Sequence, residues 1–120
     1  MGNVRAALGA WGEQVAVDHL RAQGLVLLDR NWRCRDGEID IVVTDGTTVV
    51  FVEVKTRSGT GFGRPEEAVT HRKLSRLRRL AQRWLAEHRL GWVEVRFDVV
   101  AVLADRRTGV SELEHLVGVF

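Results

Sequence analysis

Cysteine is nearly absent from this 120-residue chain, and so are long apolar runs. The single Cys34 excludes an internal disulfide and suits a reducing compartment, so a cytoplasmic location is expected. No run approaches the length that crosses a bilayer, and the first turns, with Arg5, Glu13 and Asp18, hold no apolar stretch of signal-peptide length. A membrane is not an expected partner. Linkers, internal repeats and low-complexity stretches are missing too, so residues 1–120 are expected to form one domain with a real core. Cys34 has neither Cys nor His at ligand spacing, which leaves it a structural role, and His19, His71, His88 and His115 are too scattered for a metal cluster. Gly59–Gly63 is rich in glycine, but no Gly-Lys-Ser/Thr follows it. That excludes a P-loop and leaves a mobile segment near the substrate.

What the chain does have is a pair of strand-like runs, Gly37–Val43 and Thr48–Lys55, joined through Asp45-Gly46. Alternate residues of a strand share a face, so Glu53 and Lys55 lie together. A two-residue loop would set Asp40 diagonal to Glu53, with β-carbons roughly 7–8 Å apart, whereas a four-residue loop, Asp45 to Thr48, would set them directly opposite at about 5 Å. Either even length puts both acids on one face, and an odd one would separate them. Two carboxylates that close resist joint ionisation unless a cation sits between them. Mg2+ or Mn2+ suits such a site, because a hard ion takes oxygen ligands and keeps waters that phosphate can displace. The chemistry implied is metal-assisted phosphodiester hydrolysis, with the Lys55 ammonium orienting water or neutralising developing charge. Val-Glu-Val-Lys is also what an ordinary amphipathic strand looks like. Against that, Val49–Val52 is apolar on both faces and reads as a central strand, and charges at the end of a buried strand need partners or a task.

Net charge is only +2, but it is unevenly spread. Between residues 72 and 89, Arg72, Lys73, Arg76, Arg78, Arg79, Arg83 and Arg89 face a lone acid, Glu87. Leu74, Leu77, Ala81, Trp84, Leu85 and His88 recur at helical spacing, which predicts an amphipathic helix with a cationic polar face. Such a face is either a solvated cover for the sheet or a phosphate-backbone contact, with Arg57, Arg72, Lys73, Arg76, Arg79 and Arg83 as the candidates.

The remaining pattern predicts a helix over 4–23 ending at Gly24, strands over 25–30, 37–44 and 48–55, a glycine-rich loop over 57–65, and the basic helix over 66–89. A strand over 93–103, a turn over 105–111 and a last short strand over 112–120 complete the chain. The fold class is α/β, a mixed β-sheet flanked by helices in the order α-β-β-β-α-β with a short extra C-terminal strand. Trp11, Trp32, Trp84 and Trp92 are expected to anchor the core. Asp98 is expected to make an ion pair with a neighbouring strand.

This order, with Asp40 on one strand and Glu53-x-Lys55 on the next, resembles the PD-(D/E)XK, or restriction-endonuclease-like, nuclease superfamily, and within it the archaeal Holliday junction resolvases. The resemblance implies that Asp40 and Glu53 bind metal, that Lys55 helps align the attacking water, and that Glu13 of the first helix adds a metal-site carboxylate. It further implies DNA as substrate, branched or otherwise structured, and a homodimer. A solvated Glu near the helix start is the competing reading of Glu13. Over nearly its whole length the chain is similar to the YraN family, through Gly12-Glu13, Arg30–Arg33, Gly37–Ile41, Phe51–Arg57 and Arg96–Val100. No Pro precedes Asp40, but Pro would supply no ligand. Glu38 is either a second ligand or, as favoured here, an outer-shell group. Two functions stand: a divalent-metal-dependent DNA endonuclease, and a nucleic-acid-binding module of the same fold with weak, absent or partner-dependent catalysis. An RNA-directed or mismatch-directed nuclease is not separable from the first.

Overall fold

Asn3 opens the first helix by accepting the N–H groups of Arg5 (3.0 Å) and Ala6 (3.3 Å) on its side-chain oxygen. In this computed structural model, which describes residues 3–58, 70–105 and 107–119, that helix, α1, spans Val4–Ala22. It stops where Gly24 takes a positive φ of 88°, a conformation glycine adopts at little cost. Strands β1 (Val26–Cys34), β2 (Gly37–Thr44) and β3 (Thr48–Ser58) follow, then helix α2 (His71–Glu87), and strands β4 (Glu94–Asp105) and β5 (Gly109–Leu116). They form a five-stranded sheet in chain order. Neighbours are antiparallel except β3 and β4, which are parallel, so α2 is the crossover that parallel pairing requires.

The side chains of β3 explain why both sheet faces need a helix. Val50 and Val52 pack with Ala16, Val17 and Leu20 of α1, while Val49 and Phe51 pack with Leu77, Leu80, Ala81 and Trp84 of α2. Val49–Val52 is buried throughout, as its two-faced apolar run predicts. Phe51 meets Trp84 edge-on at 5.6 Å and stacks on Phe97 at 5.7 Å.

Several element ends differ from expectation. Thr70 is extended and its hydroxyl accepts the Lys73 N–H at 3.2 Å, which starts α2 at His71; positions 59–69, where the expected start at Glu66 falls, lie outside the described residues. The expected glycine-rich loop falls largely there, although Arg57 and Ser58 belong to β3. Strand β1 runs on to Cys34 because a bulge between Leu27 and Asp29 and a left-handed Asn31 break the alternation that would have revealed it. Gly109, with φ 90°, allows β5 to begin earlier than residue 112. Trp84 is a core anchor, and Trp11 and Trp32 pack partly buried against the core, but Trp92 is 97% exposed and anchors nothing there.

Asp98 is fully buried and well supplied with donors. Arg96 of the same strand gives two bonds of 2.9 Å, the Gly118 N–H one of 3.0 Å, and His115 Nε2 lies at 2.7 Å. Burial by itself would raise the Asp98 pKa, but these hydrogen bonds outweigh it and lower it. The cross-strand partner is thus His115 of β5, while the ion pair to Arg96 lies within β4. His115 Nδ1 in turn meets His19 Nε2 of α1 at 3.3 Å, so two of the scattered histidines come together.

The seat of α1 on the sheet depends on Gly12, which is buried against Thr56 of β3. A β-carbon at position 12 would collide with the Thr56 β-carbon and both its substituents, so either helix or strand would have to move. Gly12→Ala should therefore lose about 1–3 kcal/mol of stability through overpacking, read by denaturant unfolding. An unchanged midpoint would show that α1 is not seated there.

Candidate active site

The pairing of β2 with β3 begins at Thr44↔Val49 and ends at Ile41↔Val52. That is the register of the four-residue loop. Asp45 Oδ1 closes the loop by accepting the N–H groups of Thr47 (2.9 Å) and Thr48 (2.8 Å), which lower its pKa to about 2. Past Ile41 and Val52 the two strands part, β2 continuing to Gly37 beside β1 and β3 continuing to Ser58 beside β4. The sheet forks. Asp40 is the first residue of β2 beyond the branch point, and Glu53 the first of β3.

The fork leaves backbone groups of β3 without a neighbouring strand, and Asp40 supplies a replacement. Its Oδ2 accepts the Val54 N–H at 2.8 Å. Two clefts open on either side of this bond. Toward α2, Glu38, Asp40, Glu53, Lys55, Lys73 and Arg76 line one cleft; toward α1, Arg5, Glu13, Asp40, Lys55 and Arg57 line the other. Asp40 and Lys55 belong to both.

This arrangement brings together the Asp40, Glu53 and Lys55 expected from strand alternation, but it splits the expected three-carboxylate set. Glu13 approaches Asp40 from the α1 side and Glu53 from the α2 side. Among the described residues, no three His, Cys, Asp or Glu side chains converge into a ready-made metal cage. The electrostatics still join the acids. Burial raises the Asp40 pKa to about 6, the Val54 N–H opposes the rise, and the charges of Glu13, Glu53 and Glu38 add to it. Burial likewise raises Glu13, against the lowering effect of Arg30 and of the Asn31 side-chain amide. Glu13 Oε1 is buried with no hydrogen-bond partner among the described residues, Arg30 Nε standing 3.9 Å away. A buried, orphaned carboxylate oxygen beside an acid that burial and repulsion push toward neutrality fits an oxygen-ligated cation. Were Mg2+ or Mn2+ bound, Asp40 would hold it with Glu13 on the α1 side or with Glu53 on the α2 side.

The cations divide in the same way. Lys73, third residue of α2, stands beside Lys55: the proximity of the Lys55 ammonium and burial lower its pKa, and Glu53 opposes the shift. Arg76 joins them in the α2-side cleft. Arg72 and Arg79 are exposed along the same helix. Arg83 Nη1 stands 3.1 Å from Asp36 Oδ2 in the turn between β1 and β2, an exposed pair. Glu38 lines the cleft and accepts from Arg33 Nε at 3.0 Å. Arg5, Arg30 and Asn31 were not singled out from sequence. Arg30-Asn31 does sit in a segment that carries the family resemblance, and that was the only signal available.

Fold and site define a class: an α/β domain whose mixed sheet forks to expose a carboxylate and lysine cleft. The family model described as "Uncharacterised protein family UPF0102" matches residues 12–102, a span that begins at Gly12-Glu13 and contains the whole fork. A UPF0102 protein of Beutenbergia cavernae is 62% identical over 113 residues, covering 94% of this chain and 95% of its own. UPF0102 proteins of Frankia alni (58% over 114 residues, 95% and 94%) and Mycolicibacterium smegmatis (56% over 117 residues, 96% and 94%) are similar over comparable lengths. The chain belongs to the UPF0102 family, which is the YraN family of the resemblance.

The raised pKa of Asp40 has a direction in stability. A carboxyl whose folded pKa, about 6, exceeds its ordinary value of 3.8 destabilises the fold when ionised, so its cost is present above pH 6 and vanishes as pH falls toward 4. Asp40→Asn in metal-free buffer should therefore gain roughly 1–2 kcal/mol at pH 7.5, less than the full shift implies because the group is partly exposed, and nothing near pH 4. Urea titrations at the two pH values check this. An equal effect at both would rule out the raised pKa of Asp40.

Proposed function

We propose that this protein is a divalent-metal-dependent DNA endonuclease of the PD-(D/E)XK class, related in plan to the archaeal Holliday junction resolvases and acting in the cytoplasm on branched or structured DNA. The observation that carries this reading is the fork, where Asp40, Glu53 and Lys55 meet and the orphaned Glu13 oxygen closes in from α1. A bound Mg2+ or Mn2+ supplies polarisation of a phosphoryl oxygen and an acidified water. The chain's own groups do the rest. Asp40 is anchored by Val54 N–H, which fixes one carboxylate oxygen and leaves the other for a ligand. Lys55 faces both clefts, where its ammonium orients a water and neutralises charge developing on the phosphoryl oxygens. Lys73 and Arg76 sit beside it and receive the non-reacting phosphate oxygens, while Arg72 and Arg79 extend the cationic track along α2. Symmetric cutting of a branched substrate calls for two such sites, hence a homodimer.

A second reading has its own support. The carboxylates stand on two sides of the fork without forming a closed set among the described residues, which favours a nucleic-acid-binding module that needs a partner for catalysis. No helix of the described residues is long and apolar enough to cross a membrane, and both readings accommodate that.

Calorimetry with Mn2+, combined with cleavage assays on linear, flapped and four-way DNA, separates the two. Asp40→Ala or Glu53→Ala should abolish both metal uptake and cleavage, whereas Lys55→Ala should keep uptake and lose turnover by 100-fold or more, on the order expected for a lost charge-stabilising group. Wild-type cleavage in either acid variant would sink the nuclease assignment.

DNA binding by α2 has a separate signature. Arg72→Gln with Arg79→Gln keeps the helix propensity and aliphatic stems while removing two charges. The slope of log affinity against log salt should flatten by roughly 2, at about 0.9 per lost phosphate contact. An unchanged slope would make the cationic face a solvated cover only.

A further inference from the structure

His19, near the end of α1, and His115 of the edge strand β5 are 96 positions apart in the chain, yet His19 Nε2 lies 3.3 Å from His115 Nδ1. The rings meet edge-on, at 80° to one another. Packing fixes both of them. On the α1 side, Ala16, Val17 and Leu20 are buried in one cluster with Val100 and Val102 of β4. On the sheet side, His115 pairs with Val100 across the ladder, its side chain is only 7% exposed, and its Nε2 lies 2.7 Å from Asp98 Oδ2. A carboxylate that already receives two bonds from Arg96 and one from the Gly118 N–H is ionised and can only accept, so His115 Nε2 carries a hydrogen and donates it. Nδ1 is the nitrogen left to face His19.

That is the arrangement of a metal-ligating histidine, whose far N–H is held by a carboxylate that fixes the ring and raises its basicity. Two imidazole nitrogens bound to one tetrahedral ion at roughly 2.0–2.1 Å stand about 3.3–3.4 Å apart. The facing nitrogens here have that spacing. We propose that His19 and His115 are the protein ligands of a site for a borderline divalent ion, Zn2+ or its neighbours Ni2+ and Cu2+, that joins α1 to β5. The ion takes the place of the hydrogen between the two rings, which passes to His19 Nδ1 or to solvent, while the hydrogen on His115 Nε2 stays in its bond to Asp98. Among the described residues no third His, Cys, Asp or Glu converges on the pair, so water or an external donor completes the coordination. The site is therefore open and exchangeable, unlike a structural zinc site closed by four protein ligands. Imidazole suits Zn2+, Ni2+ and Cu2+, whereas carboxylate suits Mg2+ and Mn2+. The His pair and the fork thus take different ions, and the inference does not rest on the nuclease reading.

The test adds Zn2+ to the wild-type chain in excess Mg2+ and follows the imidazole nitrogens by long-range proton–nitrogen correlation NMR. His19 Nε2 and His115 Nδ1 should move together up to one equivalent while the nitrogens of His71 and His88 stay in place, and the melting temperature should rise with Zn2+ concentration. In His19→Gln, whose amide can still hydrogen-bond His115, the His115 nitrogen should need about tenfold more Zn2+ or beyond, at least the effect of losing an outer-shell partner. Ring nitrogens of His19 and His115 unmoved by Zn2+ in the wild type would overturn the proposal and leave the pair a tertiary hydrogen bond only. A His115 response at the wild-type Zn2+ concentration in His19→Gln would reveal a lone-imidazole contact and overturn it as well. Were that variant not to fold, the wild-type ring nitrogens decide alone.

Discussion

A single hydrogen bond, from Val54 N–H to the Asp40 carboxylate, satisfies a backbone group of the inner strand where the sheet divides. A buried N–H with no acceptor costs roughly 1–3 kcal/mol, so a central strand cannot simply lose its neighbour. Here a side chain stands in for the missing strand. The substitution ties together two things that are usually separate, the continuity of the core and the geometry of a polar cleft. Asp40 cannot shift away without leaving the Val54 N–H unpaired.

From that constraint the rest of the site follows. Because the fork opens between two helices, each helix looks into it from its own side, α1 with Glu13 and α2 with Lys73 and Arg76. Gly12 allows α1 to approach β3 closely enough for Glu13 to be half-buried next to Asp40. Thr70 caps α2 so that Lys73 falls in its first turn, beside Lys55. Around this centre, Arg33 with Glu38 and Arg83 with Asp36 form exposed pairs that contribute little to stability. The acids are crowded and only partly compensated by protein cations, which is why burial and neighbouring charge together raise the Asp40 pKa.

Much of this was legible in the sequence, where regular rules apply. Asp45-Gly46 fixed a hairpin with one of two even loop lengths, and either length predicts Asp40, Glu53 and Lys55 at one place. The doubly apolar Val49–Val52 identified the central strand, and the spacing of Leu77, Ala81 and Trp84 the buried stripe of α2. The fork was not legible, because alternation assumes a regular strand, and Ile39 and Ile41, two apart in β2, pack under different helices. Contacts set by distant chain segments were equally hidden. Nothing local tells that Arg83 meets Asp36, that His19 meets His115, that Glu13 and Glu53 reach Asp40 from opposite sides, or that Trp92 points into solvent.

The central claim is that the fork is where a divalent cation binds, and the most direct measurement is paramagnetic broadening of backbone amide resonances by substoichiometric Mn2+. The account predicts that the amides of Glu13, Asp40, Glu53 and Val54 vanish first, while those of the Asp45-Gly46 turn at the far end of the same hairpin persist. Broadening spread evenly over the surface, or centred away from the fork, would contradict it.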